Sequence, residues 1–132
     1  MRTPDEITNN EDIIDSRDVI ARIEYLESSR DDLESDNNLA EWEDSDESLE
    51  LDNLKALADE AAGYASDWHY GATLIRESYF TNYCRDLVQD IGDLPRELPA
   101  YIEDNIDWDG VADDLQVDYT SVDFDGITYY VR

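Results

Sequence analysis

The chain has 132 residues and a formal net charge of -27, from 36 acidic and 9 basic residues. This length suits one domain, or one domain with an appendage. One Cys and one His exclude an internal disulfide and a Cys/His zinc site built by one chain, because structural zinc takes four ligands. No apolar run approaches the roughly 20 residues of a membrane span, and no apolar signal-peptide stretch follows Met1. We therefore expect a cytoplasmic protein without cofactor, metal or membrane association.

The first half of the chain predicts an acidic helical hairpin at residues 15 to 67. Residues 1 to 14 show no clear periodicity and are predicted to be a flexible arm that Ile13 and Ile14 could anchor. From an N-cap at Asp15-Ser16 to about Ser35, apolar residues recur at helical spacing. They are Val19, Ile23, Leu26 and Leu33. The stripe is narrow, as in a helical hairpin or coiled coil.

A polar connection at residues 36 to 48 links this helix to a second one. The second helix is predicted from about Ser48 to Gly63. Its apolar stripe consists of Leu51, Leu54, Leu57, Ala61 and Tyr64. Two helices with matching narrow apolar stripes and a short link between them indicate an antiparallel helical pair.

Residues 68 to 132 predict a small α+β unit that ends in a β-hairpin. A short strand is predicted at residues 71 to 75, and a helix capped by Ser78 is predicted to stop at Gly92. The buried face of that helix should contain Phe80, Tyr83, Cys84, Leu87, Val88 and Ile91. Asp107 should cap a further short helix. That helix should bury Trp108, Val111, Ala112 and Leu115.

The last fourteen residues predict the β-hairpin, because Asp125-Gly126 between two alternating runs is typical of a two-residue turn. This turn fixes the register. It predicts the opposite pairs Phe124 with Ile127, Asp123 with Thr128, Val122 with Tyr129, Ser121 with Tyr130, Thr120 with Val131 and Tyr119 with Arg132. One face of the hairpin should be apolar and the other polar. The predicted fold class is therefore α+β, with an N-terminal helical hairpin before a helix-and-antiparallel-sheet unit.

No motif argues positively for an enzyme, and no catalytic residue is predicted. Cys84 and His69 could form a nucleophile and base, but Cys84 falls on an apolar helix face where a thiol is inert. His69 lies among neighbouring aromatic residues and is predicted to be a packing or hydrogen-bonding residue. The residues that follow Asp107 or Asp123 do not match the ligand positions of a calcium-binding loop. The sequence contains no glycine-rich phosphate loop. With so many acids, a carboxylate pair could lie close by chance, so an enzyme stays a minor alternative.

The charge of -27 repels nucleic acid and anionic membranes. A partner should therefore be basic, and large basic surfaces in cells are commonly built to hold nucleic acid. The acidity could also have a different origin. Proteins of high-salt organisms are acidic and lysine-poor, and this chain has Lys55 as its one lysine. Runs such as residues 41 to 50 could equally be a solvated acidic surface without specific use.

Aromatic residues give a second hint of a binding surface. Tyr25, Trp42, Tyr101 and Tyr130 are predicted to be at least partly exposed, and Tyr and Trp are enriched at the centres of interfaces. A small core also needs large side chains, so the aromatic residues are equally compatible with a role in packing.

The second half resembles the C-terminal part of the ArdA-type antirestriction proteins, which phages and mobile elements carry. It is also similar to small acidic phage and prophage proteins with the same tail. The similar residues are Tyr79-Phe80-Thr81-Asn82-Tyr83, Leu94-Pro95, Leu98, Tyr101-Ile102, Ile106-Asp107-Trp108, Ala112-Asp113-Asp114-Leu115 and the hairpin from Tyr119 to Arg132. The resemblance covers half of the chain. Residues 1 to 67 lack the family's N-terminal domain, and Asp113 stands where that family commonly has Arg.

The resemblance implies an acidic DNA mimic that occupies the DNA channel of a restriction-modification enzyme. Together with the charge, it predicts an inhibitor of a host restriction-modification or CRISPR-type complex, whose partner is a basic nucleic-acid-binding protein. The alternative is an acidic protein-interaction adaptor of a phage without mimicry, and monomer and homodimer are both compatible with the sequence. The carboxylates predicted to contact the partner are Asp31, Asp32, Glu34, Asp86, Asp90, Asp93, Asp109, Asp113 and Asp114.

Overall fold

The structure is a computed structural model that describes residues 5–95 and 97–132. It confirms the predicted α+β class. The first half contains β1 (Ile13–Asp15), α1 (Ser16–Ser35), α2 (Leu39–Glu43) and α3 (Asp46–Ala62). The second half contains α4 (Trp68–Gly71), β2 (Thr73–Arg76), a 3-10 turn (Glu77–Tyr79), α5 (Phe80–Asp90), α6 (Ala100–Glu103), α7 (Trp108–Gln116), β3 (Thr120–Phe124) and β4 (Ile127–Val131).

The four strands form one antiparallel sheet in the order β1-β2-β4-β3. Successive side chains of a strand point to opposite faces. Leu74 and Tyr129 contribute to a core with the buried residues of α1 and α3. Their neighbours Ile75 and Tyr130 instead pack with Phe80 of α5 and with α7. Helices therefore cover both faces of the sheet, with α1 and α3 on one side and α5 and α7 on the other.

Residues 5 to 14 are part of this fold, which differs from the flexible arm predicted at residues 1 to 14, although the predicted anchor Ile14 is buried. Strand β1 pairs with β2, and Ile7 is buried. The Tyr129 hydroxyl donates a hydrogen bond of 2.5 Å to the backbone oxygen of Glu11. A three-residue strand is too short to show alternation, and its stabilising partners lie far away in sequence. Residues 1 to 4 lie outside the described residues.

The predicted boundary between residues 67 and 68 does not separate two cores. Leu54 of α3 shares one buried cluster with Leu74 and Tyr129 of the sheet. Ser16, which is fully buried, donates its hydroxyl to the Trp68 backbone oxygen at 2.7 Å and accepts from the backbone N–H of Ala72 at 2.7 Å. The start of α1 is therefore fixed to the chain that follows α3.

In the second half, the hairpin register and the helix ends at Asp107 and Gly92 are confirmed, whereas Ala112 is the one buried residue among the four that were predicted to be buried in α7. The hairpin has the predicted register from Thr120 opposite Val131 to Phe124 opposite Ile127. The Asp107 carboxylate accepts from the N–H of Gly110 at 3.0 Å and caps α7. Gly92 has a φ of 85° just after α5, a conformation that glycine adopts without the steric cost of a side chain.

Several predictions about individual side chains were wrong. Tyr130 is only 8% exposed, since Phe80 packs on it with ring centroids 4.7 Å apart; the hairpin face predicted to be polar is thus partly covered. Trp42 is buried in α2, a helix that was not predicted. Ile91, which was predicted to lie on the buried face of α5, is exposed.

The predicted N-cap of α5 was also wrong. Ser78 accepts a hydrogen bond from Arg76 and does not cap α5.

The buried Tyr129 predicts a loss of stability at high pH. Burial raises the pKa of Tyr129 to about 12, above the usual value of about 10. Tyr129 keeps its proton to a higher pH in the folded chain than in the unfolded chain. The contribution of Tyr129 to the free energy of unfolding is therefore complete below about pH 10 and is lost as the pH rises to about 12. Between pH 9 and 12, we expect the free energy of unfolding measured in urea to fall by about 2 kcal/mol more in the wild-type chain than in Tyr129→Phe. Equal losses in both proteins would contradict this assignment.

Candidate acidic binding surface

The outer side of α5 carries carboxylates because its other side fills the core. Phe80, Cys84 and Val88 recur every four residues and are buried. Asp86 and Asp90 lie on the opposite side of the helix and are exposed. Asp93 follows Gly92 in the loop and is also exposed.

Helix α7 repeats this arrangement beside α5. Ala112 faces the second core, so Asp109, Asp113 and Asp114 are turned outward and exposed. The Thr81 hydroxyl of α5 donates to Oδ1 of Asp109 at 3.3 Å. We call the six exposed residues of this layer the α5–α7 acidic surface: Asp86, Asp90, Asp93, Asp109, Asp113 and Asp114.

Arg85 connects α5 with the neighbouring helices α6 and α7. Arg85 of α5 forms an ion pair with Glu103 of α6, and its guanidinium carbon lies 5.5 Å from the centre of the Trp108 ring. Such a contact between a cation and an aromatic ring is attractive. The Arg85 side chain is 43% exposed, and its positive charge is paired with a carboxylate of the same chain.

The remaining predicted carboxylates, Asp31, Asp32 and Glu34, lie in the last two turns of α1 and are exposed. We call them the α1 acidic group. Arg30 lies 3.6 Å from the Asp31 carboxylate. The last turn of α1 contains no basic residue, although cations are the residues that stabilise a helix C-terminus. These acids are therefore not placed for the stability of the helix.

All nine predicted site residues are exposed, but the structure does not bring them together on one face. The α1 acidic group belongs to the helices on one side of the sheet, and the α5–α7 acidic surface belongs to the other side. A flat partner could contact one of these groups. A partner that surrounds the protein could contact both.

Several cations lie beside acids of the same chain. Arg17 is 2.7 Å from Asp15. Glu27 lies 3.8 Å from Arg30 and 3.9 Å from Lys55. These basic residues therefore do little to offset the field of the exposed carboxylates elsewhere on the surface.

An ion pair that was not predicted joins Arg22 of α1 to Glu50 of α3. Two nitrogens of Arg22 bond the two oxygens of Glu50, at 2.7 and 2.9 Å. The two side chains are only 10% and 11% exposed. The hydrogen bond to Glu50 is the largest cause of the raised pKa of Arg22. A signal was present in the sequence, because both residues occupy positions on the apolar stripes of their helices.

The residues that could have formed a nucleophile and base differ in environment. Cys84 is 1% exposed, as predicted, and burial raises the pKa of its thiol. His69 is exposed, so it is not buried among the aromatic side chains, and a hydrogen-bonding role for it stays a prediction. Its neighbours Tyr64 and Tyr70 are also exposed, whereas Trp68 is buried.

Cys84 should therefore react slowly with thiol reagents. A buried thiol with a raised pKa is neither accessible nor ionised at neutral pH. We expect a chromogenic disulfide reagent at pH 8 to label the native chain at least about 100 times more slowly than the urea-unfolded chain. Equal labelling rates would show that the second core is open.

Neither a metal site nor a membrane-spanning helix is found in the part of the chain described. Within residues 5–95 and 97–132, no three His, Cys, Asp or Glu side chains are grouped so that they could hold a metal ion. No helix in the same ranges is both long enough and apolar enough to cross a membrane.

Compared with protein-family models, curated proteins and solved structures, the chain matches none of them. The resemblance to the ArdA-type proteins therefore stays a prediction that rests on the residues quoted for it. The acidic surface is the feature of the molecule from which a function can be inferred.

Proposed function

We propose that the protein is a phage or mobile-element inhibitor that acts in the host cytoplasm as an acidic DNA mimic. It occupies the nucleic-acid-binding channel of a restriction-modification or CRISPR-type complex. The observation that carries this proposal is the presence of exposed carboxylates on both sides of the sheet, in the α1 acidic group and in the α5–α7 acidic surface. A channel that surrounds a duplex could contact both groups.

The spacing of the carboxylates supports mimicry of a phosphate backbone. Asp86 and Asp90 are four residues apart on α5, and Asp109 and Asp113 are four apart on α7, which corresponds to about 6 Å along each helix. Since α5 and α7 pack together, these carboxylates form a group of closely spaced negative charges. One strand of DNA likewise carries closely spaced charges, one phosphate about every 3.4 Å of the helix axis.

Exposed aromatic residues favour the second candidate, a protein-interaction adaptor without mimicry. Tyr70 is 83% exposed and Tyr101 is 74% exposed. Amphipathic rings of this kind are common interface anchors. An adaptor anchored by them should bind with little dependence on salt, whereas a mimic should bind much more weakly as salt rises.

Affinity capture with the whole 132-residue chain separates the two candidates. The chain is immobilised and exposed to a bacterial lysate at about 0.05 M and at about 0.5 M NaCl, since this range shortens the screening length several-fold. Bound proteins are then challenged with duplex DNA and identified. We expect basic nucleic-acid-binding proteins that are released by both high salt and duplex DNA. A partner that stays bound in the presence of both high salt and duplex DNA would support the adaptor and overturn the mimic.

A further inference from the structure

Strand β3 is an edge strand whose outer backbone groups can be identified from the hairpin register. It is the last strand in the order β1-β2-β4-β3. The two-residue turn at Asp125 and Gly126, with φ values of 49° and 82°, makes Phe124 opposite Ile127 a hydrogen-bonded pair. Bonded and non-bonded pairs alternate along an antiparallel ladder. Ser121 and Asp123 therefore direct their N–H and C=O groups away from β4.

This outer edge is accessible. Ser121 and Asp123 are exposed, while Val122 and Phe124 between and beside them are buried in the first core. In the part of the chain that the structure describes, the backbone hydrogen bonds outside the regular elements include none to residues 120–124. A row of free edge groups is a template for one more strand.

The acids along β3 determine which strand can be added. Asp118 precedes β3, Asp123 lies within it and Asp125 follows it, and all three are exposed. A second copy would bring the same acids and its own charge of -27 to the edge, and like charges across a strand pair are destabilising. Charged edges of this kind protect proteins against self-association. A strand of opposite charge is attracted by the same residues.

The other edge of the sheet is less suited to this role. Strand β1 has only three residues, and α1 begins directly after it at Ser16. The carboxylate of Asp15, the last residue of β1, already forms an ion pair with Arg17. Strand β3 has five residues and exposed acids near both of its ends.

We propose that the β3 edge binds an extended, lysine- or arginine-rich segment of the partner by strand addition. Backbone hydrogen bonds to Ser121 and Asp123 would supply the pairing, and alternate basic side chains would lie opposite Asp123. This inference rests on the proposed function for the positive charge of the partner. It adds a defined docking point to the diffuse attraction of the acidic surface.

The test uses the full chain and a capped peptide of alternating Lys and Val as the probe. The control peptide has the same side chains and charge but is N-methylated at every residue, so it cannot donate backbone hydrogen bonds. Amide hydrogen exchange is followed by NMR at about 0.15 M salt, where distant charges are largely screened. We expect the parent peptide to slow exchange at Ser121 and Asp123 at least about ten-fold. The control peptide should not.

Two variants of the chain probe the same edge. Ser121→Pro removes an outward N–H without a ladder bond to β4, a position where an edge strand tolerates proline. Ser121→Ala keeps the N–H and serves as its control. We expect Ser121→Pro to weaken binding of the parent peptide about ten-fold, with Ser121→Ala unchanged. Urea denaturation verifies that both variants are folded.

Three results would overturn strand addition at β3: equal binding of the two peptides, protection at β1 instead of β3, or no binding of the parent peptide. None of them touches the proposed function, which is measured separately by release of the captured partner with duplex DNA. Conversely, a partner that DNA fails to release would overturn the mimic and leave the peptide result standing.

Discussion

Replacing Asp86, Asp90, Asp109, Asp113 and Asp114 together with Asn should weaken binding of the captured partner by about two to three orders of magnitude. Each exposed carboxylate contributes about 1 kcal/mol or less. Any one of these replacements alone should therefore change the affinity only a few-fold. The loss should come from many contacts, because the electrostatic attraction of a DNA-binding channel is spread over many phosphates. Affinity is measured by titration of the labelled chain against the partner.

The chain offers a second variant with the same change in charge for comparison. Glu24, Asp31, Asp32, Glu34 and Asp36 are five exposed acids of α1 and the residue after it, and replacing them with Asn or Gln changes the net charge equally. A similar loss of affinity in both variants indicates a partner that surrounds the protein. A loss only in the α5–α7 variant indicates a partner on one side.

Both variants should remain folded and become slightly more stable in urea, because removing like charge relieves self-repulsion. Wild-type affinity in both variants would contradict the mimic. A single Asp→Asn replacement that abolished function while leaving fold and binding intact would favour an enzyme instead.

The features predicted correctly depend on residues close together in sequence. The turn at Asp125 and Gly126 determines the hairpin register by itself. The Asp107 cap and the spacing of Phe80, Cys84 and Val88 are likewise local. Each of these signals depends on a short stretch of chain, so no knowledge of the rest of the fold is needed.

The features that were missed depend on long-range contacts. Strand β1 is held by pairing with β2, about 60 residues later. Tyr130 is buried because α5 packs on the face of β4 that alternation alone would leave to solvent. For the candidate site, exposure could be predicted from helical periodicity. It could not be predicted whether the α1 acidic group and the α5–α7 acidic surface lie on the same side of the sheet, since that depends on the order of the strands.

Replacing Arg22 with Met should destabilise the chain by about 2 to 4 kcal/mol, the largest effect on stability that we expect from the loss of one ion pair. The substitution leaves the Glu50 carboxylate, 11% exposed, without the two charge-assisted hydrogen bonds it now receives. A buried charge that loses its partner keeps the cost of desolvation and loses the compensating attraction. The free energy of unfolding is measured in urea at pH 7.

Arg17→Met is the control, because it makes the same change in net charge. The Arg17–Asp15 pair is exposed, with side chains 66% and 36% accessible, so its loss should cost far less stability than the loss of the buried Arg22–Glu50 pair. The double variant Arg22→Met with Glu50→Leu removes both buried charges and should recover most of the stability, since apolar residues of similar volume commonly replace a buried pair without loss. If Arg22→Met and Arg17→Met were equally stable, the pair between α1 and α3 would be solvated in solution, and the charge of Arg22 would then be available to offset the acidic surface.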